Sequence, residues 1–458
     1  METNSNGREG KSDTVALNGT AKAEALDAGA LFVLESKGTW LHAGFHLTTS
    51  IVAPPLLSLP FAFRSLGWAA GIICLTVGAA VTFYAYNLLS MVLEHLELQG
   101  KRQLRFTDVT YHVMGPRWAR FLVGPIQFAV CYGAAIAASL LGGQTLKFIY
   151  ILYHPDGPMK LYQFIICFGV LMLILAQMPS FHSIRHINMI SFVLCIAYSA
   201  CAVGGSIHSG HSGDVSEKDY SFVGSKTSQV FSAFSSLAII ATSYGNGIIP
   251  EIQATVAPPT SGKMFKGLCV CYAVVVSTFY SVAISGYWAF GNQAHGNIYS
   301  NFVPSGKPLL LPKWFLVMSN MFVLLQISAV GLVYLQPAFE ALERKSADAT
   351  KGRLSMRNVV PRLILRSLVV AVGTLVGAML PFFGDVNAVI GAFGFMPLDF
   401  VLPMVFYNIT FRPSKKSIMF WMNTSIAVVF SIMGILGGIA AVRQISLDAK
   451  SYKLFANV

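Results

Sequence analysis

Of the twenty acidic residues in this chain, Glu251 and Asp399 are the two that stand clearly inside long apolar stretches. A carboxylate in hydrocarbon is costly, so its presence there points to function: a proton relay, an ion path or a substrate contact. Burial disfavours the charged form of a carboxyl group, which suits one that loads and releases protons. Glu251 closes the run Thr242-Ser-Tyr-Gly-Asn-Gly-Ile-Ile-Pro250, and Asp399 lies between Pro397 and Pro403. His46, one turn after His42, is a third titratable candidate. These three are the candidates for proton coupling. The plainer alternatives are a hydrogen-bonded structural carboxyl at Glu251, a cap on a kinked helix at Asp399 and an interfacial histidine at position 46.

The run before Glu251 has a counterpart near the start of the chain, Thr48-Thr-Ser-Ile-Val-Ala-Pro-Pro-Leu-Leu-Ser-Leu-Pro60. Prolines inside a helix remove donors and clash with preceding carbonyls. The freed backbone groups are tolerated at membrane depth only against protein or a water-lined cavity. Interruptions in corresponding places of two halves of a membrane protein mark a transporter binding site built on an inverted repeat. The candidate substrate-binding residues are therefore Ser50, Ala53, Pro54, Leu56 and Ser58 in the first break. In the second they are Ser243, Tyr244, Gly245, Asn246 and Gly247. Opened N–H groups at 53–58 and 244–247 would hold a carboxylate, as helix N-termini hold anions. Freed carbonyls and the hydroxyls of Ser50 or Ser243 would take an amine. Glycine at 245 and 247 lets a ligand approach the backbone. Gln127, Tyr132, Asn320 and Gln326 could wall such a pocket, or simply hydrogen-bond between helices.

The elements that must position these residues are membrane helices. The chain has 458 residues, 54% hydrophobic and 11% charged, with a mean hydropathy of +0.61. That composition excludes a soluble globular enzyme, which would expose large apolar patches. Eleven stretches long enough to cross a bilayer are expected at 42–63, 67–93, 121–150, 161–179, 187–207, 229–252, 266–290, 309–337, 361–381, 386–408 and 418–442. The expected fold class is thus all-α integral membrane, with helices 1–5 over about 42–207, helices 6–10 over 229–408 and an eleventh helix. A disordered cytoplasmic tail is expected over 1–37, the transporter domain over 38–445 and a short tail over 446–458. The net charge of +12 reflects topology rather than a nucleic-acid partner. With the N-terminus inside, 22 of the 32 Lys and Arg residues fall on the cytoplasmic side and 10 outside. An odd number of span positions then places the C-terminus outside. The seven cysteines all lie in apolar runs and read as small buried hydrophobes. No phosphate-binding G-x-x-x-x-G-K-[ST] loop, nucleophile elbow or metal set occurs, so neither an enzyme, a metal nor a cofactor is expected. The partners implied are a small-molecule substrate and lipid.

The stretch His42 to Trp68, with Pro54-Pro-Leu-Leu-Ser-Leu-Pro60 at its centre, resembles the opening helix of the amino acid/auxin permease family. Pro250-Glu-Ile-Gln-Ala-Thr255 and Gly391-Ala-Phe-Gly-Phe-Met-Pro-Leu-Asp-Phe-Val-Leu-Pro-Met404 are similar to it as well. The likeness covers residues 37–445 and is greatest to the plant γ-aminobutyrate permease branch. It implies eleven spans, a five-plus-five inverted repeat of the LeuT type plus one helix, and proton-driven uptake of amino acids at the plasma membrane. At Pro54-Pro55 the chain departs from the family, which more often carries glycine there. The function expected is proton symport of γ-aminobutyrate and related zwitterions, with the proton gradient as driving force. A broad neutral amino acid or proline permease, a non-transporting sensor on the same fold, and a vacuolar location are the alternatives.

Overall fold

A computed structural model describes residues 36–178, 185–212, 218–304, 308–348, 350–352, 354–379 and 383–448. The described residues are helical, apart from loops and one isolated parallel bridge between Gly38 and Val256. Eight helical runs are long and apolar enough, by length and composition, to cross a membrane. One of these, Trp40–Leu98, merges two directions of chain. It contains α1 (Trp40–Ile51) and α2 (Leu59–Leu98), and α2 turns at Gly67, whose φ of 72° only glycine adopts freely. A short helix α3 (Phe106–Met114) then leads, through one turn of π-helix at Ala119–Val123, into α4 (Gly124–Tyr153). Helices α5 (Leu161–Leu175) and α6 (Arg185–His211) complete the first half.

The second half opens with α7 (Lys226–Tyr244), started by the Ser225 hydroxyl accepting from Ser228 N at 3.3 Å. After a non-helical gap the chain resumes as α8 (Ile249–Ala254), followed by α9 (Lys263–Phe290), α10 (Lys313–Ser346) and α11 (Met356–Met379). The next expected stretch, 386–408, is no single α-helix. It is α12 (Phe383–Ile390), eleven residues of π-helix at Gly391–Val401, then α13 (Leu402–Phe411). Pro397 has no N–H to give the ladder, and π-segments of this kind concentrate at functional sites. The last helix, α14 (Ile418–Asp448), packs against the π-segment and α7. It runs past the expected start of the C-terminal tail at 446; the rest of that tail lies outside the described residues. In the core α10 lies along α4, while α9 contacts α1, α2 and α6.

The end of the bundle expected to face the cytoplasm is densely cross-linked. Arg105 binds Glu340 of α10 through Nε at 2.7 Å, and also Asp108 at 3.1 Å. Glu343, one turn on, takes Arg366 Nε of α11 at 3.0 Å and lies 3.3 Å from Arg362. The expected N-terminal tail is outside the described residues up to residue 35. Its end is pinned rather than free: Ser36 Oγ donates to Ala254 O at 2.6 Å, and Gly38, just beyond the tail, donates to Thr255 O at 2.7 Å.

Candidate functional site

The first break is narrower than the prolines suggest. Only Val52 and Ala53 leave the helix, and Pro54–Ser58 coils at once into a 3₁₀ turn. The expected row of open donors over 53–58 is therefore absent: Ala53 N bonds to Ile51 O at 2.8 Å and Leu56 N to Ala53 O at 3.1 Å. Pro54 and Pro55 have no N–H to offer. The freed carbonyls are taken by neighbouring helices. Val52 O receives Tyr198 Oη of α6 at 3.2 Å and Gln326 Nε2 of α10 at 3.3 Å, and Ser50 O receives Tyr334 Oη at 3.3 Å. Ser191 Oγ holds the other end of the Gln326 amide at 2.7 Å.

The second break, Gly245–Ile248, is fully unwound. Its donors are filled by a carboxylate: Asn246 N reaches Asp399 Oδ2 at 2.9 Å, and Gly247 N reaches Asp399 Oδ1 at 2.9 Å. Ile248 N bonds to the Asn246 side chain at 3.0 Å, while Gly245 N turns back to Thr242 O at 3.2 Å. The Tyr244 carbonyl accepts from Tyr86 Oη at 2.8 Å. The N–H groups expected to be open anion-binding groups at 244–247 are thus occupied from within at 245–247, because a buried donor left unpaired is costly. Both glycines are needed here. Gly247 has a φ of 66°, and a Cβ on Gly245 would lie 2.2 Å from Cγ of Phe395. The two breaks touch through Asn246 Nδ2, which donates to Ser50 Oγ at 2.6 Å.

Between them lies a small cavity of about 40 Å³, bordered by Ser50, Ala53 and Pro55 of the first break and by Thr242 just before the second. Ala134, Ala137 and Ala138 of α4, Ile327, Val330 and Tyr334 of α10, Asn387 and Ile390 of α12, and Phe395 complete the wall. That volume suits a water molecule rather than an amino acid, so a substrate has to widen it. Of the sequence candidates, Ser50 and Ala53 line it. Gly245, Asn246 and Gly247 do not line it, but Gly245 abuts the Phe395 wall and Asn246 bonds to Ser50. Pro54, Leu56 and Ser58 are buried elsewhere, with Ser58 Oγ on Gly296 O at 2.5 Å. Ser243 Oγ bonds within its own helix to Ile239 O at 3.0 Å, and Tyr244 Oη bonds to Leu75 O at 2.9 Å.

Sequence reasoning missed Thr242, Tyr334, Asn387, Phe395 and the alanines of α4. Thr242 opens the flagged run, one residue before the chosen candidates, and Asn387 is a lone amide near the start of an apolar stretch. The alanines at 134, 137 and 138 carry a small-residue spacing that marks close approach. Tyr132 and Asn320 lie apart from the cavity, bonded to Val369 O at 3.0 Å and Leu316 O at 2.8 Å.

Glu251 sits on α8 beyond the second break, 3% exposed. Its Oε1 accepts from Phe106 N at 2.8 Å and from Gln127 Nε2 at 2.7 Å. Gln127 Nε2 also reaches Gly247 O at 3.4 Å. Among the described residues Oε2 has no hydrogen-bond partner. The side chain borders a second, larger cavity of about 390 Å³ with Arg105, Gln127, Cys131, Glu340 and Lys345. His46 is buried on α1 without lining either cavity.

The fold has counterparts among solved structures. MhsT in complex with L-phenylalanine superposes with a TM-score of 0.59 at 10% identity, covering 89% of this chain and 99% of that one. Mhp1, a nucleobase-cation-symport-1 family transporter, does so with a TM-score of 0.54 at 13% identity over 92% and 95%. At such identities the likeness is one of fold. In sequence, "GABA transporter 1" of Arabidopsis thaliana is 60% identical over 436 residues, 95% of this chain and 97% of that one. "Lysine histidine transporter-like 1" of Arabidopsis thaliana is 31% identical over 91% of this chain and 90% of its own. The family model described as "Transmembrane amino acid transporter protein" matches residues 36–445. The chain therefore belongs to the transmembrane amino acid transporter protein family, as a multi-pass membrane transporter and not an enzyme.

Proposed function

We propose that the chain is a proton-coupled symporter that carries γ-aminobutyrate and related zwitterionic amino acids into the cytoplasm. Substrate is supported by the 60% identity to a protein named for γ-aminobutyrate transport. The observation that carries the coupling is Glu251, buried, with one carboxylate oxygen unpartnered beside the larger cavity. Its other oxygen is joined through the Gln127 amide to Gly247 O, and Gly247 N is held by Asp399. Gaining or losing a proton at Glu251 changes what Gln127 can donate to, and so changes the hold on the unwound segment beside the substrate cavity. This is the differential contact that biases a two-state transporter.

On this reading Asp399 is first the partner of the opened backbone, and Glu251 is the proton carrier. No cofactor is required beyond the proton gradient. Dividing α2 at the Gly67 turn and treating each broken helix as one crossing gives eleven crossings: α1 with the start of α2, the rest of α2, α4, α5, α6, α7 with α8, α9, α10, α11, α12 with α13, and α14. The first ten form a five-plus-five inverted repeat in which α1 corresponds to α7, and alternating access rocks the broken helices against the rest. The distribution of Lys and Arg supports an N-terminus in the cytoplasm and a C-terminus outside, and the likeness to the γ-aminobutyrate permease branch favours the plasma membrane.

The test is radiolabelled γ-aminobutyrate uptake in transporter-deficient yeast at external pH 5 and pH 7.5, with and without a protonophore. Accumulation above the medium at pH 5 that the protonophore collapses is expected. Uptake that never exceeds the medium, with the protein at the cell surface, overturns symport.

A further inference from the structure

The polar groups around the small cavity differ in what they have left to offer. A hydroxyl carries one proton, and each of the three here gives its proton to a backbone carbonyl. Ser50 Oγ donates to His46 O or Leu47 O at 3.0 Å, and Thr242 Oγ1 to Asn387 O at 2.6 Å or Ala238 O at 3.0 Å. Tyr334 Oη donates to Ser50 O at 3.3 Å. What these oxygens present to the cavity is therefore lone pairs, one of the two on Ser50 Oγ being already taken by Asn246 Nδ2 at 2.6 Å. The backbone adds no donor from the first break, since Ala53 N is bonded to Ile51 O and Pro55 has none. The second break adds none either, since Asp399 holds Asn246 N and Gly247 N.

One side chain on the cavity wall is uncommitted. Asn387 is 2% exposed, and its amide nitrogen has no hydrogen-bond partner among the described residues. A buried donor without an acceptor is unusual enough to require an explanation. The cavity is thus polarised, with three acceptors contributed by α1, α7 and α10 and one free donor contributed by α12. Ala134, Ala137, Val330 and Phe395 supply apolar wall between them. A molecule complementary to this pattern has an ammonium group, a carboxylate and a methylene spacer.

We propose that the Asn387 amide is the donor that binds the substrate carboxylate, and that the hydroxyl oxygens of Ser50, Thr242 and Tyr334 receive the ammonium group. This deepens the reading of the chain as a carrier of zwitterions and rests on it. Asn387 then determines specificity: it selects for a carboxylate, while the break segments shape the cavity without holding that group.

The experiment compares wild type with Asn387→Ala and Asn387→Asp in the yeast assay, each normalised to surface protein. The probes are labelled γ-aminobutyrate, with n-butylamine (no carboxylate) and butyrate (no amine) as competitors. Loss of one charge-assisted hydrogen bond is expected to raise KM for γ-aminobutyrate about 10- to 100-fold in Asn387→Ala. Inhibition by n-butylamine is expected to change less than about twofold, the readout that general damage to the fold would not spare. Asn387→Asp keeps the side-chain shape and covers a failure of the alanine variant to reach the surface. It is expected to exclude γ-aminobutyrate and butyrate by repulsion while strengthening n-butylamine. An unchanged KM in Asn387→Ala, or parallel loss of γ-aminobutyrate and n-butylamine in both variants, overturns the assignment. Should wild type accumulate another neutral amino acid and not γ-aminobutyrate, the substrate reading fails by itself. The Asn387 comparison is then run with that amino acid and its decarboxylated amine.

Discussion

The two breaks solve the same physical problem with different partners. In the first, proline removes the donors, and the carbonyls left over at Ser50 and Val52 are met by neutral groups: two tyrosine hydroxyls and a glutamine amide. In the second, glycine opens the backbone with its donors intact, and a buried carboxylate meets them from the π-helical segment. The first break thus has several weak, partly redundant supports from two helices. The second depends on one charged residue at each side: Asp399 for its donors and, through Gln127, Glu251 for its Gly247 carbonyl. A hydrogen bond to a charged group is worth more than a neutral one, so the second break is held more firmly and responds to charge. The asymmetry fits the proposed coupling, since only the second break is tied to titratable groups.

The comparison is broken most severely at Asp399. Asp399→Ala leaves the Asn246 and Gly247 donors buried and unpaired, each costing about 1–3 kcal/mol. Uptake is expected to vanish and the melting temperature of purified protein to fall. Asp399→Asn, which keeps one acceptor oxygen, is expected to lie between the alanine variant and wild type. Full activity in Asp399→Ala would show that the opened segment is held by something else.

Next in size is Gly245→Ala, whose Cβ is forced to within 2.2 Å of the Phe395 ring. Overpacking of this kind costs about 1–3 kcal/mol, and uptake is expected to drop about tenfold. Phe395→Ala added to it should restore part of the loss at the cost of substrate selectivity. If the double variant is no better than the single one, the ring is not the obstacle.

Glu251→Gln sharpens the comparison by separating support from sensing. The amide oxygen can still accept from Phe106 N and Gln127, so the protein is expected to reach the surface and to exchange labelled for unlabelled substrate. The ratio of uptake at pH 5 to that at pH 7.5 is expected to fall to about one, because the position no longer titrates. A preserved pH ratio would move the proton to another group.

The smallest effect is expected in the first break. Tyr198→Phe removes one donor to Val52 O and leaves Gln326 on it. The cost is about 0.5–1.5 kcal/mol, visible as a modest thermal shift with near-normal uptake. Combining it with Gln326→Leu strips the carbonyl of both donors and should cost more than the sum of the two changes. Additive losses would argue that the supports act independently rather than as substitutes for one another.

Much of this was legible in the residues. Apolar runs of membrane length, the clustering of prolines at 54–60 and the Gly-Asn-Gly run at 245–247 are local signals. They placed the apolar spans, both breaks, Glu251 beside the second break and Asp399 within a proline-flanked span, because helix formation in lipid and its interruption depend on near neighbours along the chain. The sequence alone also made the chain a membrane protein, through composition, and directed attention to Ser50, Asn246, Glu251 and Asp399. Which backbone groups stay open was not legible. Asp399 is 153 residues from Asn246, Phe106 is 145 from Glu251, and Gln326 is 274 from Val52. Hydrogen-bond satisfaction is decided by whatever side chain packing delivers to a freed group, and no local pattern encodes that. So the sequence determined where the helices must open. The tertiary structure alone decided that Asp399 fills one opening, that neutral donors fill the other, and that Asn387 is left facing the cavity with a proton to give.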